Sequence, residues 1–315
     1  MASLTLLEII DTAFGELGLI QPTQVVGSVD LQSQKALALV NREGWALQQM
    51  NEWVALQALN VINITPVIST TGDIVASSAV IQNIPSTAGI TPATAWVCTG
   101  GAIPVAARVV TVDSPTQVTL DSEATDTVVG EELTFAQDTY NLPDSFDRYI
   151  NQTSWDRTNR WQVLGPDSPQ VDEWHRSGIV TTGPRRHARQ VGHSPTAYRL
   201  WPPPGSTEVP WETVFEYVQN TWVVSALGVG KSKFTADDDT SLIDPQAIIL
   251  GLKWRFLQSN NFQYADQKQE WMDYVSSRIA KDGGAKILSM APRVGAYLIN
   301  SGQVQDGFYP GNENL

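Results

Sequence analysis

The spacing of apolar residues changes along this chain, and each change predicts a different kind of element. In the first 55 residues the apolar positions recur every three or four residues. Leu6, Ile9, Ile10, Ala13, Phe14 and Leu17 make one such stripe, which predicts an amphipathic helix. Thr5 and Glu8 fit a capping box at its start, and Gly18 stands where it would stop. A linker through Pro22 and Gly27 leads to Ser28 and Asp30, either of which suits the cap of a second helix. The buried side of that helix is expected to carry Leu31, Ala38, Leu39, Leu47 and Met50. The short linker implies that the two helices run antiparallel.

Between residues 60 and 137 the helical period disappears. Val, Ile, Thr and Ser dominate, punctuated by Gly and Pro. Residues 60–64, 106–112 and 117–120 have the β-branched content of strands separated by turns. The stretch reads as a small β-sandwich or barrel inserted into the chain, with Arg108 as its one basic residue among seven acidic ones. Residues 138–242 are mixed and rich in aromatics. Ser168 and Pro169, with Asp172 and Glu173 behind them, open a short helix, since Pro is tolerated at the first helical position and acids suit the N-terminal dipole. Residues 198–201 and 213–218 read as strands on either side of a Pro202–Gly205 turn.

A long helix follows. Asp244 caps it, Pro245 takes its first position, and Ile248, Ile249, Leu252, Phe256, Trp271, Tyr274, Val275 and Ile279 carry its stripe. Asn260 and Asn261 are expected to kink or divide it, and Gly283-Gly284 to end it. Residues 285–315 have few charges and no clean period, so they are expected to form an extended tail that orders on a partner surface.

Composition narrows the class. With 42% hydrophobic residues, 17% charged residues and 11 Trp in 315 positions, the chain can build a packed core, and global disorder is excluded. Twenty Lys and Arg against 33 Asp and Glu leave a formal net charge of −13. That balance disfavours a protein whose task is to grip nucleic acid or an anionic membrane, because either needs a basic footprint. Cys98 stands alone and forms no internal disulfide, so folding in a reducing cytosol is expected. No apolar run reaches the roughly 18–20 residues of a membrane span. The N-terminal stretch, with Glu8 and Asp11 and no basic leader, is not expected to act as a signal peptide.

Candidate chemistry is sparse. The segment SALGVGKS (225–232) resembles a phosphate-binding loop, but Ser225 stands where Gly is needed and Lys231 leads into Asp237, Asp238 and Asp239. These acids with Asp244 match no EF-hand pattern and read as a solvated loop before a helix cap. His175, His187 and His193 have spacings that match no zinc motif. No G-x-S-x-G elbow occurs. No catalytic residue, cofactor or metal is expected. Arg185, Arg186 and Arg189 with His187 form the densest basic patch. It would serve as a contact to a neighbouring subunit, or to DNA phosphates, or simply as a solvated loop.

Three adjacent segments, LPDSFDR (142–148), NQTSWDRTNRW (151–161) and LGPDSPQ (164–170), resemble the head-to-tail adaptor proteins (neck, or tail tubular A type) of short-tailed bacteriophages. RLWPPP (199–204), FEYVQNTW (215–222), FTADDDTSLI (234–243) and LGLKWR (250–255) follow in the same order, and LTLLEII (4–10) fits the N-terminal helix. Residues 60–137 resemble the β-rich insertion some of these proteins carry, with DSPTQVTL (113–120) as its most recognisable piece. The resemblance implies an α+β fold: an α-helical bundle core with β-strand extensions and an inserted small β-sandwich or barrel. Its parts would be the N-terminal helices at 1–59, the insertion at 60–137, the mixed β region and long C-terminal helices at 138–284, and a docking tail at 285–315. It further implies a homo-oligomeric ring, usually of twelve copies, in the virion neck beneath the portal protein. Such a ring is assembled in the host cytoplasm, passes double-stranded DNA without specific binding, and docks a tail nozzle or tail fibre protein. The resemblance implies no membrane partner. The tail, with Phe308, Tyr309 and Pro310, would engage the portal. A competing expectation is carbohydrate binding at a host surface through the Thr- and Ser-rich insertion with Trp96. A hydrolase is a third, with no residue to name.

Overall fold

The computed structural model describes residues 4–90, 96–176, 186–192, 196–203 and 212–283. Helix α1 (Leu6–Glu16) starts on a reciprocal cap: Glu8 N–H donates to Thr5 Oγ1 at 3.3 Å, and Thr5 N–H donates to Glu8 Oε2 at 2.8 Å. Helix α2 (Leu31–Met50) is capped by Asp30, whose carboxylate accepts the Ser33 N–H at 2.9 Å. A short helix α3 (Pro169–Arg176) opens as its Ser-Pro start predicts. Helix α4 (Pro245–Ser259) has Asp244 as cap and Pro245 in its first turn. The chain then breaks at residues 260–264, where Asn261 takes a left-handed backbone that Asn tolerates. Helix α5 (Ala265–Lys281) follows, so the two asparagines divide the expected long helix.

Helix α2 buries Leu47 and partly buries Leu39 as expected, but Leu31, Ala38 and Met50 of the expected inward set face outward. Leu31 is 79% exposed and Met50 47% exposed. The inward positions are Ser33, Ala36, Val40, Glu43, Gly44, Leu47 and Gln48. The buried polar residues of α2 find partners at its cap or on neighbouring elements, as burial favours. Glu43 pairs with Arg255 of α4, and Gln48 Nε2 donates to the Gln219 carbonyl at 3.2 Å. Burial still outweighs that pairing at Glu43, pushing its carboxyl above the usual range despite Arg255.

Among the described residues the strands form five small antiparallel sheets. In the largest, Glu212–Gln219 is central. Gln57–Asn63 pairs along one side, from Gln57 opposite Val218 to Asn63 opposite Glu212, while Phe146–Tyr149 and Trp155–Asp156 pair along the other. Ala197–Trp201 lies between His187–Val191 and Thr139–Asn141. Two three-stranded sheets, Ile68–Ile74 with Val128–Gln137 and Trp96–Thr99, and Val80–Ile81 with Gln117–Leu120 and Val109–Ser114, share one apolar cluster. Every buried member of that cluster lies between Ile74 and Phe135, so this stretch carries its own core. The strand that opens the Val- and Ile-rich region pairs outside it, with Glu212–Gln219.

The helical bundle core expected from the resemblance is therefore corrected. The described chain is dominated by small antiparallel sheets, and no helical bundle core is evident among the described residues. Helices α1, α2 and α5 each touch α4, but the cluster they share is completed by Val218, Trp222 and Val223 and by the loop residues Phe234 and Ile243. The reason is visible in the helices themselves. The inward face of α2 is half polar, and α5 buries only Trp271 and Val275 fully, so these helices cannot close a core without apolar groups from strands and loops. No helix among the described residues is long and apolar enough to cross a membrane.

Candidate functional site

Several polar side chains of the block at 142–170 are engaged in framework bonds. Arg148 pairs with Asp147, and its other guanidinium nitrogen donates to the Gln48 and Asn51 carbonyls at 3.3 and 3.0 Å, tying the sheet to the C-terminal end of α2. Asp156 is buried and accepts the amides of Thr158 and Asn159, both at 2.9 Å, which shapes the turn behind Trp155–Asp156. Ser145 Oγ meets the Tyr217 hydroxyl at 3.0 Å and Ser154 Oγ meets the Tyr198 hydroxyl at 2.8 Å. Burial pushes the Tyr149 and Tyr198 hydroxyls upward, which keeps both protonated and unsuited to act as bases. Trp155 and Trp161 in this block stay exposed, as do Trp45 on α2 and Trp174 on α3.

One cluster of metal-ligating groups is present among the described residues: Asp167, His175 and His187. Asp167 follows the Leu164 bridge to His187, and its N–H donates to the Ala188 carbonyl at 2.8 Å. Helix α3 begins two residues later and carries His175 in its last turn. His187 opens the strand His187–Val191. His187 Nδ1 lies 2.9 Å from Asp167 Oδ2, and the rings of His175 and His187 stand 4.1 Å apart. No local spacing announces this convergence, because a bridge between backbone segments more than 20 residues apart creates it. His193 and Arg185 lie outside the described residues.

The basic patch is drawn into the same neighbourhood. Arg186 is buried and donates to the carbonyls of Pro202 and Pro203 at 2.6 and 3.2 Å. Arg189 pairs with Asp172 of α3 at 2.5 Å, and Arg199 lies 3.5 Å from the same carboxylate. Both patch arginines that are described thus hold internal acceptors.

The remaining motifs resolve into turns and caps. SALGVGKS (225–232) is the connection from Val223–Val224 to Gly230–Lys231, closed by Ser225 N–H to the Val229 carbonyl at 2.9 Å, and no helix follows it. Lys231 is paired with Asp239 at 2.7 Å. Asp237 accepts the amides of Val25 and Val26 at 3.1 and 2.8 Å, and Asp244 holds Tyr274, Arg278 and the start of α4. These acids therefore fasten elements together. A cleft of about 310 Å³ lies between Trp53, Ser241, Asp244, Arg278 and Asp282. Its acids are engaged too: Arg278 pairs with Asp244 at 2.8 Å, and Asp282 accepts the Val54 N–H at 3.0 Å. Phe308, Tyr309, Pro310 and the Trp96 side chain lie outside the described residues. No protein-family model matches the chain, and no curated protein matches it.

Proposed function

We propose that the chain is a structural virion protein, a head-to-tail adaptor that forms a ring under a portal and extends the DNA channel. The observation that carries this reading is the exposure of four tryptophans, Trp45, Trp155, Trp161 and Trp174. Large exposed aromatics suit contacts between subunits, where Trp supplies anchor area. A ring subunit meets its neighbours head to tail, through two different patches. Each copy adds a formal charge of −13. An acidic wall lets DNA slide past, because without protein cations no counterion release drives binding and the repulsion reaches only about 8 Å at physiological salt. The motif block at 142–170 supports the same assignment through its resemblance to neck adaptors. The portal would be engaged by residues 285–315, and the opposite face would receive the tail nozzle or tail fibre protein.

The test is assembly. Purified full-length protein mixed with the portal of the same virion should give rings by electron microscopy, and deletion of 285–315 should abolish them. Equal docking by the truncated chain would remove the role of the tail. Absence of any ring on the portal, or location of the protein in virions away from the neck, would end the adaptor reading.

A further inference from the structure

Asp167, His175 and His187 come from a loop, a helix and a strand, and each turns a donor atom toward one point. Asp167 Oδ2 lies 2.9 Å from His187 Nδ1 and 3.9 Å from His175 Nε2, and all three donor atoms fall within 4.8 Å of one another. The backbone holds this geometry. Leu164 N–H donates to the Arg186 carbonyl at 2.8 Å, Ala188 N–H to the Leu164 carbonyl at 2.7 Å, and Asp167 N–H to the Ala188 carbonyl at 2.8 Å. Asp172 N–H donates to the Ser168 carbonyl at 3.0 Å, which starts α3 and carries His175 inward.

We propose that these three side chains bind one divalent transition-metal cation, zinc being the best match, and that the ion fastens the 164–167 loop and α3 to the strand beginning at His187. A tetrahedral zinc ion with bonds near 2.1 Å separates its donors by about 3.4 Å, which lies between the two distances to the Asp167 oxygen. Two imidazoles and one carboxylate suit borderline metals, whereas magnesium and calcium prefer oxygen throughout. A hydrogen bond explains His187 beside Asp167, but His175 Nε2 is beyond hydrogen-bond range of that carboxylate. A shared cation engages both rings and requires both to be neutral, which removes the repulsion two imidazolium ions would feel with their centroids 4.1 Å apart. The nearby guanidinium groups of Arg189 and Arg199 face Asp172, so their charge is partly neutralised before it reaches the ion. The side chains of His187 and Asp167 keep 24% and 14% exposure against 10% for His175, which leaves room for water as a fourth ligand on the outer side.

The experiment uses the full chain, freed of metal with a chelator and titrated with zinc chloride by calorimetry. One ion per chain with micromolar or tighter affinity is expected, and cobalt(II) in its place should give visible d–d absorption that saturates at one equivalent. His175→Gln and His187→Gln, each checked for folding by circular dichroism, should weaken zinc binding by about 100-fold, at the upper end of what even an outer-shell group contributes. X-ray absorption of the zinc-loaded wild-type chain decides the matter without any variant: a shell with two imidazole nitrogens is expected. No saturable binding at one equivalent, a shell lacking two imidazoles, or unchanged affinity in folded variants would overturn the site.

Discussion

The Trp222 indole lies flat on the backbone of Gly44: a Cβ at position 44 would sit 2.0 Å from the ring carbon Cη2. Trp222 is wholly buried and meets Phe234 edge-on with centroids 5.1 Å apart. A glycine inside a 20-residue helix costs about 1 kcal/mol relative to alanine, so its presence needs a reason, and the close approach of Trp222 supplies one.

Gly44→Ala is therefore expected to destabilise the fold even though alanine favours helix. Overpacking costs of roughly 1–3 kcal/mol outweigh the propensity gain when the obstructing group is a fixed indole. Urea unfolding should show a lower midpoint with an unchanged slope. A variant as stable as wild type would mean that Trp222 can move aside.

Arg108, the lone cation in an acidic stretch, is buried against Asp138, which is itself fully buried. Removing one partner, as in Arg108→Met or Asp138→Leu, strands the other and should cost about 3–5 kcal/mol. The double replacement should cost much less than the two singles together. Additive losses in a double-mutant cycle would show that the pair is not coupled.

Acid stability should depend on Asp239. Burial pushes its carboxyl up, but Lys231 and the amides of Thr235 and Ala236 outweigh that and hold it below its ordinary value of 3.8. A lowered folded value means the unfolded chain binds the proton more readily, so the contribution is complete above about pH 4 and is lost as pH falls through the folded value. Asp239→Asn should lower stability at pH 7 by on the order of 2 kcal/mol, as loss of hydrogen bonds to a charged group does. The gap to wild type should narrow below about pH 4. A gap that is constant with pH would assign the effect to packing.

Cys98 should be chemically silent in the folded protein. Burial in the apolar cluster pushes its thiol up to about 12, so almost no thiolate exists at neutral pH. A thiol reagent at pH 8 should label the native chain far more slowly than the chain in denaturant. Equal rates would show that the sheet pair around Cys98 opens readily.

Much of the local structure is readable without coordinates. The Thr5–Glu8 box, the Asp30 and Asp244 caps, Pro169 and Pro245 in first turns, the break at Asn260-Asn261 and the strand Gln117–Leu120 all appear where residue type and spacing put them. Less of the candidate site is readable: His175 and His187 stand out as histidines, but nothing near them in the chain points to Asp167. The inward face of α2 is equally hidden, since Glu43, Gly44 and Gln48 look like solvent positions until Arg255, Trp222 and the Gln219 carbonyl arrive.

The amino-acid order by itself settled the caps, the helical and β-branched stretches and the acidic charge, because these depend on side chains a few positions apart. Tertiary structure alone decided that Gln57–Asn63 pairs with Glu212–Gln219, that strands and loops complete the core around α4, and that an aspartate and two histidines meet. The sheet pairing joins residues about 150 to 160 positions apart and the Asp167–His187 contact residues 20 apart, and their energy comes from surfaces that exist only once each segment has formed, so no local spacing encodes them.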